Sequence, residues 1–455
     1  MSSPDLEGLL NEVAKLDQDP YSGRLFTYVY ETGDKRIREV ANRALLKFYD
    51  RNALDFTVFK SAVYFERELV KFARELLHGD EDVLGTYSYG GTESIMLAVK
   101  AARDYFRKVR GMQVVPELVI PSSAHPSFEK AAEYMGLRVR KVPISAVDKK
   151  ADTEKLKEAV GDSTALVAAS APNFPYGTID PIKDIADFLK DKHTLFHVDA
   201  CVGGYILPFF EMSGERVDAF DFRAEGVTSM SLDAHKYGYA PKGSSLLLFR
   251  NPELKKECTY VNVSWPSYTF VNTTLLSSRS VGPMAAAWAV QSYLGKAGYL
   301  KLAGQVLSAR NRIRDGLGGL GFKPTAPVES SILSLCNEEA DLLVFVLAMK
   351  MKGWHFELQR RIEGLVPYNI HMTITPVHDA VAQSFVEDSQ ESLKSPAPRQ
   401  VAETVRKLSE GRLEELLYLV KRGEVDSASI VKMLEAIPEE TARELAKEIV
   451  NGMFK

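Results

Sequence analysis

Residues 231–249 read SLDAHKYGYAPKGSSLLLF and set one histidine and two lysines between two strand-like apolar runs. Lysines ordinarily occupy solvated faces, so Lys236 and Lys242 at the seam between two strands require an explanation. The flanking runs VTSMSL (227–232) and SLLLF (245–249) are short and apolar, as buried strands are. Upstream lie four more: ELVIP (117–121), LRVRKVPI (137–144), TALVAAS (164–170) and TLFHVD (194–199). Helical patterns such as TESIMLAVKAARDYFRKVR (92–110) and PIKDIADFLKDK (181–192) separate them. From about residue 80 to 250 this alternation predicts an α/β fold with a mainly parallel sheet covered by helices on both faces.

Outside that block the patterns change. GYLKLAGQVLSARNRIRDGL (298–317), EEADLLVFVLAMKMKGW (338–354), GRLEELLYLVKRG (411–423) and EETARELAKEIVNGMF (439–454) are mostly helical, with a few strands between. The expected division is an N-terminal helical arm (1–60), a large cofactor-binding domain (61–295) and a smaller C-terminal α+β domain with a helical tail (296–455). EDSQESLKSPAPRQ (387–400), polar and proline-bearing, reads as a linker.

Composition excludes several function classes. The 455 residues carry 57 Lys and Arg against 61 Asp and Glu, so no general attraction to nucleic acid or anionic membranes is expected. Cys201, Cys258 and Cys336 form no CxxC, which argues against a disulfide framework or zinc knuckle and suits a reducing cytoplasm. The opening MSSPDLEGLLNEVAKLDQDP is a capped amphipathic pattern, not a signal peptide, and LLVFVLAM (342–349) is too short to span a bilayer. A soluble cytoplasmic protein is expected.

Several predicted strands end in polar residues, where ligands of open parallel sheets bind. In YSYGGTESIMLAV (87–99), Gly90, Gly91 and Thr92 precede a helix, and its free N–H groups could cradle a phosphate. Taken alone, a simple helix cap is the better reading. Asp199 ends the strand in TLFHVDACVGG, where a carboxylate must cap a turn, bind a metal or hold a protonated ring nitrogen. His197 on the same strand finds no third ligand, so no metal site is expected. His125, in PSSAHPSFEKAAEYMG, starts a helix and could also stack on a planar ligand. Lys236 follows Asp199 by 37 residues, a strand–helix–strand distance, and a desolvated lysine with a lowered pKa can attack a carbonyl to form a Schiff base. Each motif is weak alone, but a Schiff-base lysine, a ring-nitrogen aspartate, a phosphate cup and an aromatic lid together match pyridoxal 5′-phosphate.

At this level of detail, SLDAHKYGYAPKGSSLLLF resembles the active-site segment of sphingosine-1-phosphate lyases, within the group II pyridoxal-phosphate-dependent decarboxylase family. The resemblance continues through GGTESIMLAVKAARD (90–104), APNFPYGTIDPI (171–182), HVDACVGG (197–204), FDFRAEGVTS (220–229) and SSRS (277–280), covering roughly residues 20–380. It implies the fold type I architecture of the pyridoxal-phosphate-dependent transferases: a mainly parallel seven-stranded sheet in the large domain, a smaller α+β domain, and a homodimer with shared active sites. It further implies Lys236 as the Schiff-base lysine, Asp199 on the ring nitrogen and His125 stacked on the ring. Gly91 and Thr92, with His235, would form the phosphate cup, and Lys242 would be a second lysine near the substrate. Ser278 and Arg279 would belong to a loop reaching the cofactor phosphate of the partner subunit.

Three departures concern the substrate. The lyases carry SGAVY and NPLHPD, whose tyrosine and histidine hold the substrate phosphate, where this chain has SGRLF (22–26) and NALDFT (52–57). Phe26 and Asp55 would then replace two anion ligands, and Phe270 a further tyrosine. The expected activity is a carbon–carbon lyase cleaving a bond to Cα of a small-molecule amine. An amino-acid decarboxylase releasing CO2 and an amine is the alternative, and a non-catalytic binding protein on the same fold is a third. Tyr237, Tyr239 and Cys201 are expected to wall or fill the cleft, and Arg360 and Arg361 to pair on the surface.

Overall fold

The structure, a computed structural model, describes residues 5–395 and 437–453. Seven strands make the large sheet: β1 (Leu84–Ser88), β2 (Glu117–Pro121), β3 (Arg138–Val142), β4 (Thr164–Ser170), β5 (Leu195–Asp199), β6 (Ser229–Leu232) and β7 (Ser245–Phe249). Their order is β1-β7-β6-β5-β4-β2-β3. The five strands from β6 to β3 pair in parallel, while β7 runs antiparallel to both β1 and β6. All six strands expected from the apolar runs are present, and β1 is added.

Period-two alternation gives this sheet two buried faces. Leu118, Ile120, Leu166, Ala168 and Leu195 pack with the helices Gly91–Arg110 and Ser127–Met135. Their neighbours Val119, Val167, Ala169, Phe196 and Val198 join the opposite core, with Ile182–Leu189 and the long helix Gly282–Gly318, which is broken at Gly295. The register of β1 on β7, from Leu84↔Phe249 to Ser88↔Ser245, ends β1 beside the start of β7. The glycine pair after β1 and the lysine loop between β6 and β7 therefore emerge at one edge of the sheet.

Strands β8 (Tyr260–Asn262) and β9 (Phe270–Asn272) form a hairpin. The chain then builds an antiparallel sheet of β10 (Lys323–Pro324), β11 (Ile332–Cys336), β12 (Glu357–Gln359) and β13 (Asn369–Thr373), ordered β10-β11-β13-β12. The arm runs along this sheet: the Phe26 N–H donates to the His355 carbonyl at 2.8 Å, and the Thr373 N–H donates to the Phe26 carbonyl at 2.8 Å.

The expected linker over 387–400 is corrected in its first half, because the helix His378–Ser392 runs through it. Its polar residues are committed: Ser389 and Ser392 are buried, Lys352 Nζ donates to Asp388 at 2.8 Å and to Glu391 at 2.7 Å, and Trp354 Nε1 donates to Asp388 at 2.8 Å. Residues 396–400 and the expected helix at 411–423 lie outside the described residues, whereas EETARELAKEIVNGMF is helical over Glu439–Met453. No helix among the described residues is long and apolar enough to cross a membrane.

Candidate active site

A cavity of about 790 Å³ opens where the large sheet's carboxyl edge meets the small sheet and the arm. Its wall includes Gly91, Thr92, His125, Asp199, His235, Lys236 and Lys242, so seven of the eight expected site residues converge. Ser278 does not: it lies on an exposed loop, accepting from Asn52 Nδ2 at 3.3 Å. Arg279 beside it is buried and donates to the Tyr87 carbonyl at 3.1 Å.

The lysine loop is braced at both ends. The His235 N–H donates to the Ser244 carbonyl at 3.0 Å, and the Tyr239 N–H to the Lys236 carbonyl at 3.0 Å. Tyr87 of β1 donates its phenol to the Gly243 carbonyl at 2.8 Å, and Tyr237 donates to the Ile374 carbonyl at 2.6 Å. Both tyrosines are fully buried, and Tyr237, like Tyr239, serves the packing of the loop.

The two lysines differ in charge environment. Lys236 Nζ lies 2.9 Å from Asp233 Oδ2, and His235 Nε2 lies 3.5 Å from the same oxygen. Burial alone would lower the Lys236 pKa, but Asp233, aided by Cys201, Tyr30 and Asp199, reverses this and raises it. The expectation of a lowered pKa at Lys236 is thus corrected: desolvation is present and a carboxylate three residues back overrides it. Lys242 has the lowered value. Burial, and then the charge of Lys236, push it down to about 8, and its ammonium stands 5.1 Å over the Tyr30 ring.

Asp199 ends β5 with its contacts on one oxygen. Its Oδ1 accepts from the Cys201 N–H at 3.0 Å and from Ser231 Oγ at 3.3 Å, and its place in the cavity wall leaves the other oxygen for a ligand. His197, two residues earlier, is fully buried with Nδ1 2.9 Å from Ser229 Oγ and Nε2 3.1 Å from Ser231 Oγ. Both of its nitrogens serve the sheet.

Ser127 ties the histidine to the helix start. Its hydroxyl lies 2.8 Å from Thr92 Oγ1 and 2.8 Å from His125 Nδ1, while its backbone N–H donates to that nitrogen at 3.2 Å. With Nδ1 accepting, the ring proton is assigned to Nε2. Burial lowers the His125 pKa, partly offset by Asp199.

The glycine turn is more than a cap. Gly90 makes no capping side-chain bond, and the N–H groups of Gly91, Thr92 and Glu93 have no acceptor among the described residues. Glu93 Oε2 instead accepts from the Tyr89 N–H at 2.6 Å, which orders the turn. A Cβ at Gly91 would stand 2.7 Å from Cys201 Sγ and 2.9 Å from Asp233 Oδ2, so only glycine brings the backbone this close. Unpaired amides at a helix N-terminus, a carboxylate at a strand end, an exposed imidazole in the cavity wall and a reachable lysine form the donor set that pyridoxal 5′-phosphate requires.

The three departures fall outside this cavity. Phe26 is fully buried, stacked on His378 at 4.0 Å and packed on Trp354, Phe356 and Phe385. Asp55 is exposed and accepts from the Thr57 and Val58 N–H groups. Phe270 belongs to β9. Their replacement therefore removes nothing from this wall. The arm instead supplies Tyr28 and Tyr30, which with Asp233, Ser127 and Glu357 are the site residues that sequence reasoning missed. Asp233 had a visible signal, its place three residues before Lys236 in one loop. Arg361 pairs with Glu363 at 3.3 Å on the surface, as expected.

Comparison with known proteins agrees with this geometry. The pyridoxal-dependent decarboxylase conserved domain matches residues 56–315. A sphingosine-1-phosphate lyase of Dictyostelium discoideum is 35% identical over 392 residues, covering 86% of this chain and 72% of that protein. A probable L-tyrosine/L-aspartate decarboxylase of Methanothermobacter thermautotrophicus is 32% identical over 299 residues, covering 65% and 79%. Among solved structures, the sphingosine-1-phosphate lyase of Burkholderia pseudomallei superposes with a TM-score of 0.81 at 31% identity, covering 90% of this chain and 96% of that one. A Lactobacillus brevis glutamate decarboxylase, at 19% identity and a TM-score of 0.74, shares the fold, with 87% and 93% covered.

Proposed function

The chain is a pyridoxal 5′-phosphate-dependent lyase of the pyridoxal-dependent decarboxylase family, and on that premise we propose that it cleaves the Cα–Cβ bond of a phosphorylated β-hydroxy amine. When bound, the cofactor supplies an aldehyde carbon that takes up the substrate amine and a protonated ring that accepts the electron pair released at Cα. Lys236 anchors it, and Asp199 keeps the ring-nitrogen proton in place. His125 covers the ring, with its orientation fixed by Ser127. The free amides of Gly91 and Thr92, the Thr92 hydroxyl and His235 hold the phosphate.

Lys242 carries the choice of reaction. Its pKa of about 8 leaves a useful neutral fraction near neutral pH, and among the described residues no carboxylate forms an ion pair with it. A neutral amine in the cavity can take the proton of a β-hydroxyl as Cα–Cβ cleaves and the aldehyde departs. Decarboxylation has no such requirement, because the carboxylate leaves already ionised. Lys236, held cationic by Asp233, is suited to return a proton to Cα.

In this reading the protein acts as a homodimer in the cytoplasm. Leu46, Tyr49, Phe56, Val58 and Tyr64 expose an apolar surface along the arm, which a second copy would cover. Ser278, outside its own cavity, is then available to the partner's site. Three free cysteines suit a reducing compartment.

Titration of the cofactor-loaded protein, followed by its visible absorbance, tests the substrate class. Phosphorylated long-chain amino alcohols are expected to shift the band at micromolar concentration. A shift produced only by free amino acids would favour the decarboxylase.

A further inference from the structure

Strands β5 and β6 lie side by side in parallel, with His197 opposite Ser229 and Asp199 opposite Ser231. Period-two alternation sends Val198 and Met230 into the core on one face of the sheet and sets His197, Asp199, Ser229 and Ser231 together on the other. All four polar side chains are buried, and of the four Asp199 alone lines the cavity. Such a cluster is costly unless its donors and acceptors are matched.

The matching places each proton. Burial pushes the His197 pKa down to about 4, so the imidazole is neutral and carries a single N–H. Ser231 Oγ lies 3.3 Å from Asp199 Oδ1, 3.1 Å from His197 Nε2 and 3.3 Å from Cys201 Sγ. A hydroxyl has one proton and an ionised carboxylate can only accept, so Ser231 donates to Asp199. His197 Nε2 is then the protonated nitrogen and donates to Ser231 Oγ, with the Cys201 thiol as the second donor to that oxygen. Nδ1 accepts from the Ser229 hydroxyl at 2.9 Å. The other tautomer would turn the Ser231 proton toward the imidazole and leave the Ser231 and Asp199 oxygens facing each other without one. The bonds therefore run in one direction, from Ser229 through His197 and Ser231 to Asp199 Oδ1. The Cys201 N–H adds another donor to that oxygen at 3.0 Å, and Oδ2 is left for a ligand in the cavity.

We propose that His197 is a positioning residue for Asp199: through Ser231 it holds the carboxylate in the orientation that accepts the ring-nitrogen proton of pyridoxal 5′-phosphate. This rests on the assignment of Asp199 to the ring nitrogen made above. His197 is not part of the cavity wall, so its influence on the cofactor passes through Asp199. A histidine that only filled the sheet would affect every ligand of the site alike.

The test compares pyridoxal 5′-phosphate with its 1-carba analogue, which keeps the aldehyde and phosphate but has C–H in place of the ring nitrogen. Each is titrated calorimetrically into the cofactor-free protein. The wild type is expected to bind the natural cofactor about tenfold or more tighter than the analogue. His197→Phe keeps a ring against Phe128, whose centroid lies 5.9 Å away, but has no donor. It should shrink the ratio by about threefold or more through weaker binding of the natural cofactor, with the analogue little changed. Ser231→Ala should do the same, and His197→Gln, whose amide can still donate to Ser231 Oγ, should restore much of the ratio. In an Asp199→Asn background, adding His197→Phe should change the ratio no further. Should His197→Phe fail to fold, Ser231→Ala, a smaller change, gives the same reading. An undiminished ratio in His197→Phe and Ser231→Ala, or equal losses for both ligands, would overturn the proposal and leave Asp199 on the ring nitrogen. Equal binding of both ligands by the wild type would instead remove the Asp199 assignment, and this proposal with it.

Discussion

The Lys236 ammonium stands 2.9 Å from the Asp233 carboxylate, within a loop that also carries a second lysine with no such partner among the described residues. That asymmetry divides the labour of the site. In the proposed reading Lys236 stays cationic beside Asp233, and Lys242, pushed down to about 8, is the lysine that more readily gives up its proton.

Replacing Asp233 by Asn removes the charge that holds Lys236 up, leaving burial to push it down. The cofactor-free variant is therefore expected to attach pyridoxal 5′-phosphate at lower pH than the wild type, read as the growth of visible absorbance across a pH series. In the wild type the Lys236 pKa is raised above its ordinary 10.5, so the pair stabilises the fold below that pH. The contribution fades as pH rises through the folded value. Identical pH dependence of cofactor attachment in the two proteins would rule out this role.

In the proposed reading Lys242 sets the pH profile of turnover. If its neutral form is the base, kcat rises with pH around an inflection near 8. Lys242→Arg, which stays charged, should erase that inflection and lower kcat by about 10²–10⁴-fold while cofactor binding persists. The sign for stability is opposite to that of Lys236. The folded pKa of about 8 lies below the ordinary 10.5, so the charged lysine is penalised in the fold, and stability rises as pH goes from about 8 to 10.5.

Gly91→Ala tests the close approach at the phosphate cup. The new methyl would meet Cys201 Sγ at 2.7 Å and Asp233 Oδ2 at 2.9 Å. A loss of about 1–3 kcal/mol in stability is expected, with cofactor affinity falling further because the amides shift. Adding Cys201→Ala should recover part of the Tm but not all of the affinity, since Asp233 remains.

Phe26→Tyr and Tyr30→Phe separate the family resemblance from the structure. Phe26 has no exposure and packs among rings, so a hydroxyl there costs about 1–3 kcal/mol and adds nothing to substrate affinity. Tyr30→Phe should leave Tm nearly unchanged and lower kcat/KM, because this ring faces Lys242 in the cavity. Improved substrate binding by Phe26→Tyr would show that residue 26 reaches the site after all.

The large sheet was legible because its strands are buried on both faces and stand out as apolar runs between helical patterns. Strand β1, LGTYS, was not, because its glycine and polar residues pair with β7 at the sheet edge and carry no apolar signal. Asp199, His125, Lys236 and the glycine turn could be found because strand ends and short motifs mark them. Tyr28, Tyr30 and Glu357 belong to the arm and to β12, and only tertiary packing brings segments more than 300 residues apart to one wall. The polar stretch 387–392 looked like a linker because charge and serine content do not reveal that Lys352 and Trp354 bind Asp388. The pKa of Lys236 was misjudged for a similar reason: desolvation could be anticipated from the loop, but the approach of Asp233 Oδ2 could not.

Product identification tests the central claim most directly. The cofactor-loaded protein would be incubated with a long-chain amino-alcohol phosphate and, separately, with free aromatic and acidic amino acids, and the products resolved by mass. A long-chain aldehyde together with phosphoethanolamine is the predicted outcome. Release of CO2 with the corresponding amine, and no aldehyde from the phosphorylated substrate, would contradict it.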